Sequence, residues 1–366
     1  MDNHEHFMRM ALNEAVRAWG NTAPNPMVGA VLVKDGKVVA TGYHRCDGLD
    51  HAEKDCLRKV DFHAQGCDMY VTLEPCTTHG RTGACSEAIK KAGVKRVYVG
   101  CKDPNPLHAG RAESVFQEAN IFCKFGILED ECRELNFIFN KNITSKQALL
   151  ALKYAISKDG KITECAGRPT AITCDKSRED VMQWRKLFSA IGVGWGTVVA
   201  DNPSLLARTF SGIKAPKARL IFDASLRSAD ADISKFNVFS DLYKNITRIV
   251  CDCSADIFKQ EMLSAKGVDV MRINAPKNSS EFWTILKEQL YAQKICSLYL
   301  EGGASVYKSV CEAKAVDYVF EYVANKTFVG GLRAFDKNYF TINAVETHNI
   351  CNDKFTRGYP VWKQIP

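Results

Sequence analysis

The sequence predicts two consecutive α/β domains, and three observations carry that reading. Apolar strand-like runs alternate with helix-like stretches in both halves, the pattern of layered α/β folds. The chain has 366 residues, beyond the size at which a single hydrophobic core keeps growing. A charged, helix-like segment from Glu129 to Asn140, followed by the polar run Lys141–Lys146, separates the halves, so the expected domains are 1–146 and 147–366.

In the first half, residues 4–19 read as a helix, with Phe7, Met10, Ala11, Ala15 and Ala18 at near-helical spacing, broken by a Pro-Asn-Pro turn at Pro24–Pro26. Met27–Val33 and Lys37–Tyr43 read as strands joined by the hairpin signal Lys34-Asp35-Gly36. A helix over His51–Val60 and a short buried strand over Met69–Leu73 follow. Then come a helix over Ser86–Ala92, a strand over Arg96–Gly100, a helix over Ala112–Ala119 and a strand over Ile121–Phe125. The second half restarts with a strand over Ala148–Ile156 and a turn at Ser157–Gly160. A helix over Asp175–Phe188 has Asp175 as its expected N-cap. Ala190–Gly194, Arg219–Phe222, Arg248–Cys251 and Ser297–Leu300 are strand-like, with a helix over Glu281–Gln293 between the last two. Gly302-Gly303-Ala304-Ser305 opens one more helix at a strand end. No internal repeat is visible.

The chemistry concentrates between His51 and Cys85. One imidazole (His51) and two thiols (Cys76, Cys85) suit a tetrahedral zinc site whose fourth position is left for water. Glu53, two residues from the imidazole, is placed to move protons without binding the metal, and H-x-E followed by P-C and a second Cys is the signature of zinc-dependent nucleobase deaminases. A lone His-x-Glu carries little. The set gains weight because Cys76 follows a strand and Cys85 opens a helix, whose N-terminus favours thiolate. The spacing departs from the usual two residues between the cysteines: eight intervene, Thr77 to Ala84. That polar loop brings His79 and Arg81 beside the metal as candidate substrate contacts. His44, His63 and His108 have no such context and read as surface or substrate-contacting residues.

Composition excludes several classes. Hydrophobic content of 46% and charged content of 25% are those of a globular protein. The first twenty residues carry no apolar signal region, and no run approaches a membrane span, so a cytoplasmic protein with no membrane partner is expected. In a reducing compartment the fifteen cysteines are expected to be free, and most, including Cys101, Cys174 and Cys251, read as small core residues. The net charge of +7 comes without a long basic run. It could mean nucleic acid, but anionic small molecules fit equally well, and no nucleic-acid partner is expected.

Taken together, Asn25–Gly29, His51-Ala52-Glu53, Glu74-Pro75-Cys76, His79–Thr82 with Cys85, and Asp103–Pro106 resemble the deaminase half of the bifunctional riboflavin-biosynthesis deaminase-reductases, in which the eight-residue gap is usual. Leu152-Lys153, Ser157–Lys161, Thr197–Pro203, Leu205, Arg208 and Glu301-Gly302-Gly303 are similar to that family's reductase half. The resemblance implies a cytidine-deaminase-like three-layer α/β/α domain followed by a dihydrofolate-reductase-like α/β domain. It implies zinc-dependent deamination of 2,5-diamino-6-(5-phosphoribosylamino)pyrimidin-4(3H)-one, then NADPH reduction of the ribose of the resulting uracil. Zn2+ and NADPH are the implied cofactors, a phosphorylated pyrimidine the implied partner, and a homo-oligomer the expected assembly.

By matched position the resemblance makes Glu53 the catalytic group and His51, Cys76 and Cys85 the zinc ligands. Asn25, His44, His79, Arg81, Asp103 and Asn105 become deaminase substrate contacts. Lys153, Arg185, Leu205, Arg208 and Glu301 become reductase substrate contacts, and Ala155, Ala171, Thr197, Asp201, Gly303, Ala304, Ser305 and Val306 cofactor contacts. A Gly-Gly-x-Ser turn between strand and helix can bring backbone amides to a pyrophosphate. The chain departs from the family at Pro169 and Ala171, which stand where Ser and Trp are common, and at Ala155, where Gly is common; Pro169 offers neither hydroxyl nor N–H. Three rival readings are a nucleic-acid-editing deaminase with an accessory binding domain, a deaminase with a weakened reductase half, and a structural zinc module with Cys67 or His79 as fourth ligand.

Overall fold

The structure is a computed structural model and describes residues 3–78, 83–106, 108–165, 170–210, 212–335 and 338–364. It divides into two compact units, Met1–Lys146 and Gln147–Pro366.

The first unit runs α1 (Asn3–Val16), β1 (Gly29–Lys34), β2 (Lys37–Tyr43), α2 (Ala52–Arg58), β3 (Asp68–Leu73), α3 (Cys85–Lys91), β4 (Arg96–Cys101), α4 (Arg111–Glu118), β5 (Phe122–Lys124), α5 (Glu129–Leu135) and α6 (Phe137–Ser145). Its sheet has the order β2-β1-β3-β4-β5. β1 pairs antiparallel with β2 and β3, and β3, β4 and β5 are parallel. Ala30, Gly42 and Val71 share a face through the registers Ala30↔Gly42 and Ala30↔Val71, and α2 packs there. Gly29 and Gly100 lie on the opposite face under α1 and α5. The core is apolar on both faces, from Met8, Ala11 and Phe7 to Leu57, Ile89 and Phe116.

Three expectations are corrected here. Met8 is the fully buried methionine of α1 and Met10 packs only partly. β1 starts at Gly29 because Met27 is occupied elsewhere: its N–H donates to Asn136 Oδ1 (2.8 Å) and its carbonyl accepts from Asn136 Nδ2 (2.9 Å). The same buried Asn136 breaks the expected helix of 129–140 into α5 and α6, and α6 extends to Ser145 through the expected polar linker.

The second unit runs β6 (Leu149–Ser157), α7 (Asp175–Leu187), β7 (Ala190–Gly194), α8 (Trp195–Asp201), β8 (Ala207–Thr209), β9 (Gly212–Lys214), β10 (Ala218–Phe222), α9 (Asn237–Ser240), β11 (Thr247–Cys251), α10 (Ile257–Ala265), β12 (Asp269–Arg272), α11 (Ser280–Ala292), β13 (Ser297–Leu300), α12 (Ala304–Glu312), β14 (Tyr318–Ala324), β15 (Phe340–Ile350) and β16 (Asp353–Trp362). The nine-stranded sheet has the order β12-β11-β10-β7-β13-β6-β14-β16-β15. It is parallel as far as β14 and closes with antiparallel β16 and β15. Leu220, Phe222, Leu298 and Leu300 face α11 and α12; Ile191, Val193, Ile221 and Ile249 lie in a second apolar cluster with Val198 of α8 and Leu263 of α10.

The residue at the N-cap of α7 is Cys174, not Asp175, which is the first helical residue and pairs with Arg178. Cys174 also departs from the core reading: it is half-buried at a helix end, its Sγ 3.7 Å from the Ile350 carbonyl, whereas Cys101 and Cys251 are buried. Among the described residues no cysteine is in a disulfide. Among the described residues no helix is long and apolar enough to cross a membrane.

Candidate active sites, one in each unit

In the first unit, two helix starts and a strand end converge. His51 is the N-cap of α2, Cys76 follows the end of β3, and Cys85 is the first residue of α3. His51 Nδ1 lies 3.6 Å from Cys76 Sγ and 3.4 Å from Cys85 Sγ. Ligands on one tetrahedral zinc stand about 3.5–3.8 Å apart, from Zn–N of about 2.0 Å and Zn–S of about 2.3 Å, so the donors fit that ion. Among the described residues these three form the metal-ligating cluster; Cys67 lies in the apolar core, and His79 lies outside the described residues. Three donors, with no fourth among the described residues, suit a catalytic rather than a structural site.

The local sequence explains the convergence. Gly42 lets α2 dock against β2: a Cβ there would stand 2.4 Å from the Cys56 nitrogen and 2.5 Å from the Ala52 carbonyl oxygen. Lys54 reaches from α2 to the Gly83 carbonyl at 2.9 Å, fixing the approach to Cys85. The Cys85 N–H donates to Cys76 Sγ (3.3 Å), and the Ser86 N–H to the Cys76 carbonyl (3.1 Å). Hydrogen bonding from Cys85, together with His51, pulls the Cys76 thiol down to about 4, and the same contact with burial pushes Cys85 up.

Glu53 is buried beside this cluster, and desolvation, with the Cys76 thiolate, raises its carboxyl to about 7. A carboxyl poised near neutrality takes up and releases protons readily. Glu53, His51 and Cys76 line a cavity of about 350 Å³ together with Asn25, His44, Asp103 and Asn105. His44 Nδ1 faces the Asp50 carbonyl (2.9 Å) and therefore donates to it, which leaves Nε2 to accept from Asn25 Nδ2 (3.2 Å). Burial lowers the pKa of His44, in keeping with a neutral ring. His79 and Arg81 lie outside the described residues.

Glu74 is a residue whose part the sequence reading missed. Its buried carboxylate accepts from the backbone N–H groups of Asp103 (3.1 Å), Gly110 (3.0 Å) and Ala112 (3.0 Å). It thereby hangs the loop that carries Asp103 and Asn105 on the strand end that carries Cys76. Glu74 stood inside a recognised motif, but nothing in its spacing named partners some thirty residues away.

The second unit has a cavity of about 720 Å³ at the carboxyl ends of β7, β10 and β13, where open parallel sheets place ligands. Lys153, Ala155, Thr197, Asp201, Glu301, Gly303, Ala304, Ser305 and Val306 line it. Gly303 has φ +99° and approaches Gly194 so closely that a Cβ would stand 3.4 Å from the Gly194 Cα. Of the first-turn N–H groups of α12, those of Val306 and Tyr307 donate to the Gly303 carbonyl (2.9 Å each), and those of Ala304 and Ser305 have no acceptor within the helix. A glycine floor under a helix start fits a dinucleotide pyrophosphate. Sequence reasoning missed Ser225, Arg227 and Lys277 on this wall; isolated residues in loops carry no motif.

The remaining expected residues sit apart from that lining. Arg185 makes a two-pronged ion pair with Glu301, Nε to Oε1 at 2.7 Å and Nη2 to Oε2, and donates from Nη1 to the Leu206 carbonyl at 2.9 Å. Burial alone would raise the Glu301 carboxyl, but Arg185 and Lys153 outweigh it and hold it low. Burial lowers the pKa of Lys153, whose Nζ lies 5.7 Å from the centre of the Tyr322 ring. Leu205 is buried with φ +49°, Arg208 is exposed and donates to Ser204 Oγ (3.0 Å), and the Ala171 carbonyl accepts from Lys326 Nζ (2.6 Å). Pro169 lies outside the described residues.

Comparison with known proteins adds to this geometry. Residues 1–101 match the cytidine and deoxycytidylate deaminase zinc-binding region, and residues 148–354 match the RibD C-terminal domain. The chain is 38% identical over 329 residues to the riboflavin biosynthesis protein RibD of Actinobacillus pleuropneumoniae, covering 90% of this chain and 85% of that one. It is 34% identical to RibD of Escherichia coli, covering 88% of each. The structure of a diaminohydroxyphosphoribosylaminopyrimidine deaminase/5-amino-6-(5-phosphoribosylamino)uracil reductase from Thermotoga maritima superposes with a TM-score of 0.82 at 32% identity, over 98% of this chain and 99% of that one.

Proposed function

The chain belongs to the RibD family of bifunctional riboflavin-biosynthesis deaminase-reductases, and from that footing we propose how its residues divide the two reactions. It deaminates 2,5-diamino-6-(5-phosphoribosylamino)pyrimidin-4(3H)-one and reduces the resulting 5-amino-6-(5-phosphoribosylamino)uracil with NADPH. We assign the first step to residues 1–146 and the second to residues 147–366.

The observation that carries the deaminase assignment is the set of 3.4 and 3.6 Å separations among His51, Cys76 and Cys85 with Glu53 buried beside them. Zinc held there supplies hydroxide at neutral pH. Glu53 takes one proton of the attacking water to the ring nitrogen and then carries its second proton to the departing amine, a shuttle suited to a carboxyl near neutrality. Asn25, His44, Asp103 and Asn105 orient the pyrimidine from the cavity wall, and His79 and Arg81 belong to the same proposal.

In the reductase, Gly303, Ala304, Ser305 and Val306 hold the cofactor pyrophosphate, with Thr197, Asp201, Ala155 and Ala171 as further contacts. Arg227 and Lys277 on the cavity wall support the phosphorylated nicotinamide dinucleotide over its unphosphorylated form. NADPH supplies the hydride. Lys153 and Glu301 face the substrate, Arg185 holds Glu301 charged and in place, and Leu205 and Arg208 complete the substrate side. A cytoplasmic location and a homo-oligomer belong to the proposal; exposed Val345, Tyr359 and Val361 on the terminal hairpin support the latter.

The test supplies the diaminopyrimidine phosphate with and without NADPH, reading ammonia and nicotinamide absorbance. Ammonia should appear in both reactions, and NADPH should be consumed only after it. NADPH consumption without prior ammonia release would overturn the order, and ammonia without NADPH oxidation would refute the reductase assignment.

A further inference from the structure

The deaminase cavity contains a ring nitrogen that the chemistry above does not use. His108 lines the cavity, and its Nδ1 is buried with no hydrogen-bond partner among the described residues. Buried polar atoms in native proteins are nearly always satisfied, so an orphan on a cavity wall points to something that binds in the cavity.

The backbone around His108 is pinned where it stands. Its N–H donates to the Asn105 carbonyl (2.8 Å), and its own carbonyl accepts from the Arg111 N–H (3.1 Å). On both sides the loop hangs on Glu74, through Asp103 N–H before it and Gly110 and Ala112 N–H after it. The imidazole is therefore presented by the same carboxylate that places Asp103 and Asn105, at the end of the strand leading to a metal ligand. Glu74 behind the wall and Asp103 on it make this side of the cavity unfavourable to a phosphate.

We propose that His108 is a specificity-determining contact of the deamination step, its Nδ1 hydrogen-bonding an uncharged polar group of the substrate, on the pyrimidine edge or the ribosyl hydroxyls, and not its phosphate. The proposal rests on the deaminase reading above. Sequence alone did not separate a surface from a substrate-contacting role for this histidine; the orphaned nitrogen does.

The experiment measures steady-state ammonia release by the full chain with the diaminopyrimidine phosphate, comparing wild type with His108→Leu and His108→Asn. Leucine removes the polar atom; asparagine returns an amide atom close to where Nδ1 stood. His108→Leu should lower kcat/KM about 10- to 100-fold, mainly through KM. His108→Asn should stay within about threefold of wild type, by the same reasoning. Both should keep stoichiometric zinc and normal NADPH oxidation with the uracil intermediate. His108→Leu at wild-type kcat/KM would overturn the proposal. So would equal losses in both variants accompanied by loss of zinc, which would show a purely structural role. Failure of the wild type itself to release ammonia would instead sink the deaminase reading.

Discussion

Removing Arg219 should unfold the reductase unit at a markedly lower temperature. This arginine is fully buried in β10, and all its N–H donors are engaged. Nε donates to Thr247 Oγ1 (2.9 Å), Nη1 to the Ser204 carbonyl (2.9 Å) and Asp241 Oδ2 (2.7 Å), and Nη2 to the Val238 carbonyl (3.0 Å) and Asp241 Oδ1 (2.8 Å). Arg219→Met keeps much of the volume but leaves Asp241 without its cation, the Ser204 carbonyl without this donor, and the Val238 carbonyl with Thr247 Oγ1 alone. Breaking a fully buried pair from one side costs about 3–5 kcal/mol; the Asp241 side chain is 24% exposed, so the low end applies, about 3 kcal/mol, which in a domain of this size lowers Tm by roughly 6–12 °C. Calorimetry on the full chain, with zinc retention as the control for the deaminase unit, reads this directly. Because Nη1 holds the carbonyl next to Leu205, the KM for the uracil substrate should rise as well. Asp241→Asn added to Arg219→Met should recover part of the loss by removing the uncompensated charge. A Tm within about 2 °C of wild type, or Arg219→Lys behaving as wild type, would refute the reasoning, since lysine cannot make the fork. Hydrogen bonding to Arg219 depresses the Asp241 pKa. The pair's contribution is therefore fully present above the unfolded Asp value of about 4 and lost as pH falls further, through the lower folded value.

Four other outcomes are expected. Glu53→Gln should cut ammonia release by about 10²–10⁴-fold while zinc stays bound; normal turnover would remove the proton-shuttle role. Stripping zinc with a chelator should abolish deamination and leave NADPH oxidation of the uracil intermediate unchanged, and elemental analysis should return one ion per chain on recovery. Arg208→Ala should raise the reductase KM about tenfold or more, as loss of a charge-assisted contact does, without touching ammonia release; equal losses in both reactions would refute its placement. Gly42→Ala must push against the backbone of α2, so overpacking of about 1–3 kcal/mol should appear as weaker zinc retention in competition with a chelator.

What was legible in the sequence was mostly local. The zinc ligands and Glu53 could be read because each sits at an element boundary that residue type also marks, a helix start or a strand end. Most strands of the parallel sheets were visible as apolar runs. Less visible was whatever depends on partners far along the chain. Asn136 looked like one polar residue in a charged helix, yet it ends α5 because it clasps Met27 from a hundred residues away. Arg185 read as a cation available to substrate, but the structure commits it to Glu301 and Leu206. β15 went unread because it exposes most of its residues, so its pattern lacks the buried alternation that marks a strand, and buried β14, an apolar run broken by Glu321, went unread with it.

The stitch between Cys76 and Cys85 has a consequence for how such a catalyst can change. The Cys85 amide bonds the Cys76 sulfur, and the Ser86 amide bonds the Cys76 carbonyl, so the polypeptide departs from the hydrolytic centre and rejoins it at the same spot. Lengthening or shortening the stretch between them alters only a closed excursion, whose entropic penalty grows slowly with its length. Natural drift or a designer can therefore rewrite that excursion to meet a different nucleobase while the hydrolytic chemistry is inherited intact.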